Sequence, residues 1–334
     1  MRVLVTGASS LIGLGVVDRL VRRGDEVVAF QRRPLEAALS SSVEEMLGDV
    51  ADADAVDAAM RGCDGVVHLA AKVGVVGPRA DYVATNVDGT RHVLEAAQRH
   101  GVSRIVHVSS PSVAHDGSAI VGGGADPALI AHGAAWYPET KAIAERMALA
   151  ANGESMAVTV VRPHLVWGPG DTQLVGRIAE RAAAGRLALV GGGVALVDTT
   201  YITNATAALV AALDAVEPGA TCAGKAYVVA NGEPRPIKEL VAGICAAAGV
   251  PFAPKTVSLG AARRIGGVID AVWPRLGRTD EPPLTRFLAD QLGTAHWFDP
   301  RPAQRDFGWV PEVSIDDGLR ELAEWFDRTG DSTR

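Results

Sequence analysis

Along the first 110 residues, short apolar runs alternate with amphipathic stretches, and this pattern limits the possible folds. Short runs rich in valine, isoleucine and leucine lie at residues 2–5, 26–30, 65–69 and 104–108, and amphipathic stretches such as 11–23 and 82–100 separate them. Strands that alternate with helices need crossover connections, which favours a parallel sheet covered by helices on both faces. The sequence therefore predicts an α/β fold with a doubly wound parallel sheet of the Rossmann type.

Charge and cysteine content exclude several classes of protein. The formal net charge is −7 and no basic stripe with aromatic neighbours occurs, so we expect no nucleic-acid partner. The three cysteines have neither metal-ligand spacing nor the pattern of a disulfide framework, which predicts no metal site and is typical of the cytoplasm. No apolar run reaches 18 residues, and the first one ends at Thr6, so we expect neither a transmembrane helix nor a signal peptide.

A turn between the first strand and the first helix has the order of a pyrophosphate-binding loop. Gly7 permits a sharp turn, Gly13 permits close packing of helix on strand, and the helix N-terminus offers unpaired N–H groups. Ser10 stands where a third glycine often occurs, although its hydroxyl can donate to phosphate. A plain strand–helix turn is the alternative. The predicted cofactor contacts of this turn are Gly7, Ser9, Ser10, Leu11, Ile12 and Gly13.

The end of the second strand predicts which dinucleotide binds. An acidic residue there would favour NAD, but Gln31 is neutral and is followed by Arg32 and Arg33, whose guanidinium groups suit a 2′-phosphate. We therefore expect NADP(H) in preference to NAD(H); a solvated loop start is the alternative. Asp49, after the third strand, is placed to accept a hydrogen bond from adenine, or else to cap the following helix.

Tyr137 and Lys141 are four residues apart, so on a helix they share one face. A lysine ammonium beside a phenol lowers the pKa of the phenol from about 10 toward neutrality, which makes tyrosine an acid or base for a carbonyl or an alcohol. A chance surface pair is the alternative. The strand at residues 105–108 ends in Ser109 and Ser110, at the sheet edge where ligands bind, and a serine there can hydrogen-bond a carbonyl oxygen.

Together these motifs resemble the extended short-chain dehydrogenase/reductases over nearly the whole chain. The resemblance implies Ser110 and Tyr137 as catalytic residues, Lys141 as activator and ribose ligand, and a homodimer formed through the helices that carry Asn86 and Tyr137. Ser10 departs from the family pattern. The resemblance also implies further cofactor contacts, namely Val50, Leu69, Ala70, Ala71, Lys72, Asn86 and Pro163. We expect residues 1–165 to form mainly the NADP-binding domain and residues 166–334 mainly a smaller substrate-binding lobe, with some segments returning to the sheet.

Segments 71–74, 109–113, 162–171, 197–202, 284–287 and 296–299 are similar to the 3β-hydroxysteroid dehydrogenase branch. Within it the similarity is greatest to bacterial reductases of 2-alkyl-3-oxoalkanoic acids, which act in long-chain olefin and β-lactone biosynthesis. The resemblance implies a fatty-acyl β-keto acid substrate, for which the candidate contacts are Lys72, His164, Tyr201 and Arg286. A sterol dehydrogenase, a nucleotide-sugar epimerase or dehydratase, and a non-catalytic dinucleotide-binding regulator are the alternatives.

Residues 262–276 carry apolar side chains at helical spacing beside Arg263 and Arg264. Such a segment can be an amphipathic lid that touches a membrane or a partner protein. It can equally be an ordinary packed helix with a solvated basic edge.

Overall fold

A computed structural model describes residues 1–74, 77–130, 135–276 and 282–330. The strands are β1 (Arg2–Thr6), β2 (Glu26–Gln31), β3 (Glu44–Leu47), β4 (Gly65–His68), β5 (Arg104–Val108), β6 (Ile120–Gly123), β7 (Ala157–Pro163), β8 (Val166–Trp167), β9 (Ala188–Val190), β10 (Leu196–Val197), β11 (Thr200–Tyr201), β12 (Ala226–Val229), β13 (Arg235–Pro236), β14 (Lys255–Val257) and β15 (His296–Phe298).

The helices surround these strands and are mostly short. They are α1 (Leu11–Arg22), α2 (Ala37–Ser40), α3 (Ala53–Met60), α4 (Arg79–Tyr82), α5 (Gly89–His100), α6 (Trp136–Ala150), α7 (Val175–Ala183), α8 (Ile202–Ala215), α9 (Ile237–Ala247), α10 (Leu259–Val272), α11 (Arg286–Gly293), α12 (Arg301–Phe307) and α13 (Ile315–Thr329). A π-helical turn (Val83–Asp88) precedes α5, and 3₁₀ turns lie at Pro111–Ala114, Gly191–Gly193 and Pro274–Leu276.

The main sheet has seven parallel strands in the order β12-β7-β5-β4-β1-β2-β3. Successive side chains of a strand point to opposite faces, so Val3 and Val5 join the core beside α1 and α8, whereas Leu4 joins the core beside α3 and α5. This doubly wound arrangement confirms the predicted fold class. It brings the carboxyl ends of β1, β4, β5 and β7 to one edge.

The C-terminal part contributes a second core and small sheets. Its main sheet has the order β13-β10-β15-β6, and its strands come from widely separated parts of the chain. Trp167, Tyr201, Ile244, Leu322 and Phe326 belong to its core. Helix α8 and strand β12 lie past residue 165 yet pack in the layers of the main sheet. The division of roles at residues 165 and 166 stays a prediction.

Helix α10 does not bury the apolar face that the sequence indicates. Ala262 and Gly266 are its buried residues. Val268, in contrast, is 64% exposed, and Ile265 and Val272 are exposed as well. Helix α10 thus packs against α11 through its small residues, in agreement with the packed-helix alternative, while part of its apolar stripe stays exposed. Within the described ranges, no helix combines the length and the apolar character needed to span a membrane.

Candidate active site

The turn after β1 requires glycine at two positions. Gly7 has a φ of +69°, and a Cβ there would lie 2.8 Å from the backbone nitrogen of Ala70. A Cβ on Gly13 would lie 2.3 Å from the carbonyl oxygen of Gly7. The backbone can therefore pass close to β4 and α1 only without side chains, which leaves the α1 N-terminus open to a ligand.

Ser10 caps α1 rather than standing free in the turn. Its hydroxyl donates to the carbonyl oxygen of Gly7 at 2.8 Å and accepts from the N–H of Gly13 at 3.0 Å. Since the hydroxyl proton is already used, the expected donation from Ser10 to a phosphate requires this bond to break. Leu11 and Ile12 begin the helix, where backbone N–H groups have no partner within the helix.

A cavity of about 470 Å³ lies beside this turn. Its lining includes predicted cofactor contacts, namely Gly7, Ser9, Ser10, Gln31, Arg32, Arg33, Asp49, Val50, Leu69, Ala70 and Ala71. The side-chain oxygen of Gln31 is buried and has no hydrogen-bond partner in the described structure, which is unusual for a buried amide. A glycine cradle, a helix N-terminus and an orphaned amide oxygen on one cavity fit a dinucleotide.

Two cations, Arg32 and Arg33, and two acids, Glu36 and Asp49, line this cavity. The amide nitrogen of Gln31 donates to Glu45 at 2.9 Å, while the Arg32 guanidinium lies 3.7 Å from Asp49 and its side chain is 71% exposed. Arg33 is exposed. The helix-cap alternative for Asp49 is wrong, because Asp52 caps α3. Asp49 instead accepts from the N–H of Ala51 at 3.0 Å.

Asn86 ties the segment after β4 to the helix that carries Tyr137. Its side-chain oxygen accepts from the N–H of Lys72 at 2.7 Å, and its amide nitrogen donates to the Lys72 carbonyl at 3.1 Å and to Thr140 Oγ1 at 2.9 Å. Asn86 is buried and lies in the π-helical turn. Its described contacts make it a brace between two walls of the site.

A buried histidine extends this brace to the turn after β1. His68 Nδ1 lies 2.7 Å from Thr6 Oγ1, and His68 Nε2 lies 3.0 Å from Thr90 Oγ1. Thr90 donates its proton to the carbonyl oxygen of Asn86, so His68 must donate from Nε2 and accept at Nδ1. Burial lowers the pKa of His68 to about 3, which keeps the ring neutral. Sequence reasoning did not assign His68 this role.

The structure brings Ser110, Tyr137 and Lys141 together at the carboxyl end of β5. The Ser110 hydroxyl lies near enough to the Tyr137 phenol to influence its pKa. Ser112 donates to Ser110 Oγ at 2.9 Å, and Lys141 Nζ donates to the carbonyl oxygen of Val108 at 2.6 Å. Lys141 is thereby fixed at the end of the strand that precedes Ser110. These residues come from one strand end and one helix, as the sequence indicates.

The expected lowering of the Tyr137 pKa is not found. Burial raises the pKa of the Tyr137 phenol, and the neighbouring Ser110 hydroxyl opposes that rise. Burial lowers the pKa of Lys141 to about 8, and the nearby Glu145 carboxylate opposes that change. Both pKa changes arise because desolvation disfavours the charged form of each residue, the phenolate of Tyr137 and the ammonium of Lys141. A protonated phenol at neutral pH suits proton donation to a carbonyl oxygen.

A buried ion pair lies behind Lys141. Glu145 follows Lys141 by one helical turn, and its carboxylate lies 2.5 Å from the Arg162 guanidinium, with both side chains at most 1% exposed. Arg162 also donates to the carbonyl oxygen of Asp126 at 2.8 Å. The sequence resemblance includes the segment that begins at Arg162, but sequence reasoning assigned no role to Glu145. The signal was its position four residues after Lys141 on the same helix face.

The candidate substrate contacts do not form one cluster of cations. Lys72 Nζ pairs with Asp81 at 3.1 Å. His164 Nδ1 donates to the Asp198 carbonyl at 2.5 Å, and burial lowers the pKa of His164 to about 3. The Tyr201 hydroxyl donates to Glu321 at 2.6 Å within the C-terminal core.

Two other predicted residues lie at element ends. Arg286 is exposed at the first position of α11. Pro163 ends β7 and directly precedes His164, at the edge of the sheet that Ser110 shares. No group of three or more potential metal ligands occurs in the parts of the chain that the structure describes.

Comparison with known proteins assigns the family. The 3-beta hydroxysteroid dehydrogenase/isomerase family matches residues 4–259. A 2-alkyl-3-oxoalkanoate reductase of Stenotrophomonas maltophilia is 49% identical over 96% of this chain and 98% of its own length. A 3 beta-hydroxysteroid dehydrogenase/Delta 5→4-isomerase of Mycobacterium tuberculosis is 31% identical over 97% of this chain and 90% of its own length.

A solved structure agrees with this assignment. MoeE5 in complex with UDP-glucuronic acid and NAD has a TM-score of 0.73 and 26% identity, and the match covers 98% of this chain and 100% of that one. The nicotinamide dinucleotide cofactor implied by the cavity is consistent with this neighbour. The chain belongs to the 3-beta hydroxysteroid dehydrogenase/isomerase family of extended short-chain dehydrogenase/reductases, and it is an oxidoreductase that acts on a CH–OH group or the corresponding ketone.

Proposed function

We propose that this protein uses NADPH to reduce the 3-keto group of a long-chain 2-alkyl-3-oxoalkanoic acid to the 3-hydroxy acid, reversibly. The observation that carries the proposal is the grouping of Ser110, Tyr137 and Lys141 at the carboxyl end of β5, with a phenol that burial keeps protonated. A reductase needs such a proton donor beside the carbonyl oxygen. The 49% identity to a 2-alkyl-3-oxoalkanoate reductase supports the substrate class.

The roles of the chain's own residues follow from their positions. Ser110 hydrogen-bonds the ketone oxygen and Tyr137 protonates it, so both stabilise charge that develops on that oxygen. The bound nicotinamide supplies the hydride. Lys141, held by the Val108 carbonyl at 2.6 Å, orients the cofactor ribose and supports the phenol electrostatically. The glycine turn and the α1 N-terminus hold the pyrophosphate, since Gly7, Ser9 and Ser10 line the cavity.

The preference for NADPH rests on the charge at the end of β2. Arg32 is exposed, and its ion pair with Asp49 is long at 3.7 Å. A 2′-phosphate offers this guanidinium a doubly charged acceptor with better geometry. Gln31 places no negative charge at the position that would repel that phosphate.

Other parts of the proposal concern organisation. Residues 1–165 mainly bind NADP(H), and residues 166–334 mainly bind the fatty-acyl chain. We also propose a cytoplasmic homodimer formed through α5 and α6. The exposed apolar face of α10, with Val268 at its centre, gives a weak contact with membrane or with a biosynthetic partner protein.

The test is NADPH consumption, followed by absorbance, with a freshly prepared racemic 2-alkyl-3-oxo fatty acid. We expect an enzyme-dependent rate that is much weaker with NADH. Arg32→Ala should raise the KM for NADPH roughly tenfold, because a charge-assisted phosphate contact is lost, without changing the KM for NADH. Arg22→Ala, which removes an exposed arginine of α1 paired with Asp18, is the matched control.

Two results would contradict the proposal. Equal kcat/KM for NADH and NADPH would contradict the cofactor preference. Failure to reduce the oxo acid, in protein that binds NADPH, would contradict the substrate class. Turnover of 3β-hydroxysteroids instead would then match the activity named for the Mycobacterium tuberculosis relative.

A further inference from the structure

Three histidines form a cluster where the C-terminal lobe meets the sheet edge. His115 ends the 3₁₀ turn that begins after Ser110, His164 follows Pro163, and His296 begins β15. The rings of His115 and His296 are 6.5 Å apart, and those of His164 and His296 are 4.9 Å apart. Two of these residues thus directly follow segments that we assign to the catalytic centre.

The cluster contains ring nitrogens that nothing in the described structure satisfies. Both nitrogens of His115 and Nδ1 of His296 are buried and have no hydrogen-bond partner. His296 is only 4% exposed. A buried polar atom without a partner is destabilising, and three in one cluster are exceptional. The cluster is therefore incomplete without a polar ligand.

The hydrogen bonds that are present define what this ligand must offer. His296 Nε2 donates to the carbonyl oxygen of Gln291, so Nδ1 carries a lone pair and needs a proton donor. A neutral His115 has one N–H that needs an acceptor. A carboxyl group that carries one proton supplies both, because one oxygen donates and the other accepts.

We propose that His115 and His296 bind the carboxyl group of the substrate, with one proton shared between that group and His296 Nδ1. This inference rests on the proposed function and identifies how a β-keto acid is distinguished from a neutral ketone. It replaces Lys72, His164 and Arg286 as the carboxylate contacts. No bond to carbon changes at this cluster; binding moves one proton from solvent into the site.

The surrounding charges are compatible with this proton uptake. Burial lowers the pKa of His115 and of His296, and the proximity of His115 lowers the pKa of His296 further. The negative charges of Asp290 and Asp116 raise the pKa of His115 and so oppose the effect of burial. Arg263 pairs with Asp290 at 2.5 Å and reaches the Gly117 carbonyl, which holds α10 over the segment after His115. The unliganded cluster is therefore neutral at pH 7 and can accept a proton when a carboxylate enters.

Two variants separate hydrogen bonding from packing. His115→Phe keeps an aromatic ring against Phe287 and removes both nitrogens. His296→Gln keeps a donor for the Gln291 carbonyl and removes a group that can be protonated. We expect each to lower kcat/KM for the 2-alkyl-3-oxo acid roughly 10- to 100-fold, as for loss of a hydrogen bond to a charged group, with little effect on its methyl ester. His100→Gln, at a histidine paired with Asp57 on α5, is the control.

The pH dependence gives an independent signature. Because binding takes up one proton, kcat/KM of the wild type for the acid should fall by up to about tenfold per pH unit between pH 6 and 8, relative to the ester. His296→Gln, which lacks the protonatable nitrogen, should lose this difference, whereas His115→Phe, which retains His296 Nδ1, should keep it. Equal losses with acid and ester, or no loss with either, would overturn the proposal and leave the cluster as a buried water site.

Binding of decanoate tests the same cluster without turnover. Calorimetry in buffers of different ionisation heat should report uptake of one proton by the wild type and none by His296→Gln. If the oxo acid is not reduced but decanoate binds with proton uptake, the proposed function fails and the carboxyl site stands. If decanoate does not bind, or binds without proton uptake, the carboxyl site is rejected.

Discussion

The main sheet and the sheet of the C-terminal lobe differ in how their strands are distributed along the chain. Strands β1, β2, β4, β5 and β7 have four to seven residues and are mostly buried. The lobe strands β10 and β13 have two residues each, and β15 pairs with β6 from a distant part of the chain. Long apolar runs determine a strand locally, whereas two-residue strands form only once distant segments meet.

The same difference separates two parts of the active site. Ser110, Tyr137 and the glycine turn lie on regular elements of the main sheet and its helices. His115 and His296 lie on a short 3₁₀ turn and a three-residue strand, and only tertiary packing brings them within 6.5 Å. Local sequence patterns therefore predict the Ser110, Tyr137 and Lys141 group, whereas the carboxyl site that we propose forms only when the lobe assembles.

The largest expected effect tests the sheet side of this comparison. Tyr137→Phe removes the proton donor, so kcat should fall about 10²- to 10⁴-fold, while NADPH affinity stays close to that of the wild type. Steady-state kinetics and a fluorescence titration measure the two quantities. Tyr227→Phe, which removes a hydroxyl bonded to Asp306 at 2.6 Å, in the core beside α1 and α8, should keep kcat. Undiminished turnover in Tyr137→Phe would contradict the catalytic assignment.

An intermediate effect tests the connection between α6 and β7. Glu145→Gln leaves the buried Arg162 without a charged partner, so the free energy of unfolding should fall by about 3–5 kcal/mol. It also removes the charge that raises the pKa of Lys141, which should drop below about 8. Since protonated Lys141 supports catalysis, the alkaline fall in kcat should move to lower pH.

The control for this prediction is Glu95→Gln, an exposed carboxylate of α5 with a long contact to Arg91. It should change neither stability nor the pH profile. If Glu145→Gln lowers the free energy of unfolding but the alkaline fall in kcat stays at the same pH, the Glu145–Arg162 ion pair has only a structural role.

The smallest effect tests packing in the lobe with two adjacent glycines of α10. A Cβ on Gly266 would lie 2.5 Å from the backbone of α11 and the residue before it, whereas a Cβ on Gly267 meets nothing within 4 Å. Gly266→Ala should therefore lower the free energy of unfolding by about 1–3 kcal/mol. Gly267→Ala should raise it by about 0.5–1 kcal/mol, since alanine favours a helix. Urea unfolding of both variants measures this, and equal changes would contradict the close contact of α10 with α11.

Two expectations from the sequence differ from the structure, the lowered pKa of Tyr137 and the buried apolar stripe of α10, and both depend on which groups become buried. The Tyr137–Lys141 spacing is correct, but a pKa depends on desolvation by all surrounding elements, and this raises the pKa of the phenol. The apolar stripe of α10 is correctly identified, yet which helix face packs is decided by the small residues Ala262 and Gly266. A short stretch of sequence does not specify how deeply a residue is buried, nor which face of a helix a neighbouring element covers.

Local sequence patterns are sufficient to predict the parallel sheet and the glycine turn. Their signals are local: apolar periodicity, glycine where no Cβ fits, and four-residue spacing on a helix. Tertiary structure alone decided that Ser10 caps α1, that Glu145 pairs with Arg162 behind Lys141, and that His115 and His296 meet with unsatisfied nitrogens. Each of these arises because folding excludes water from groups that are distant in sequence or differently oriented, and buried polar atoms must then find partners.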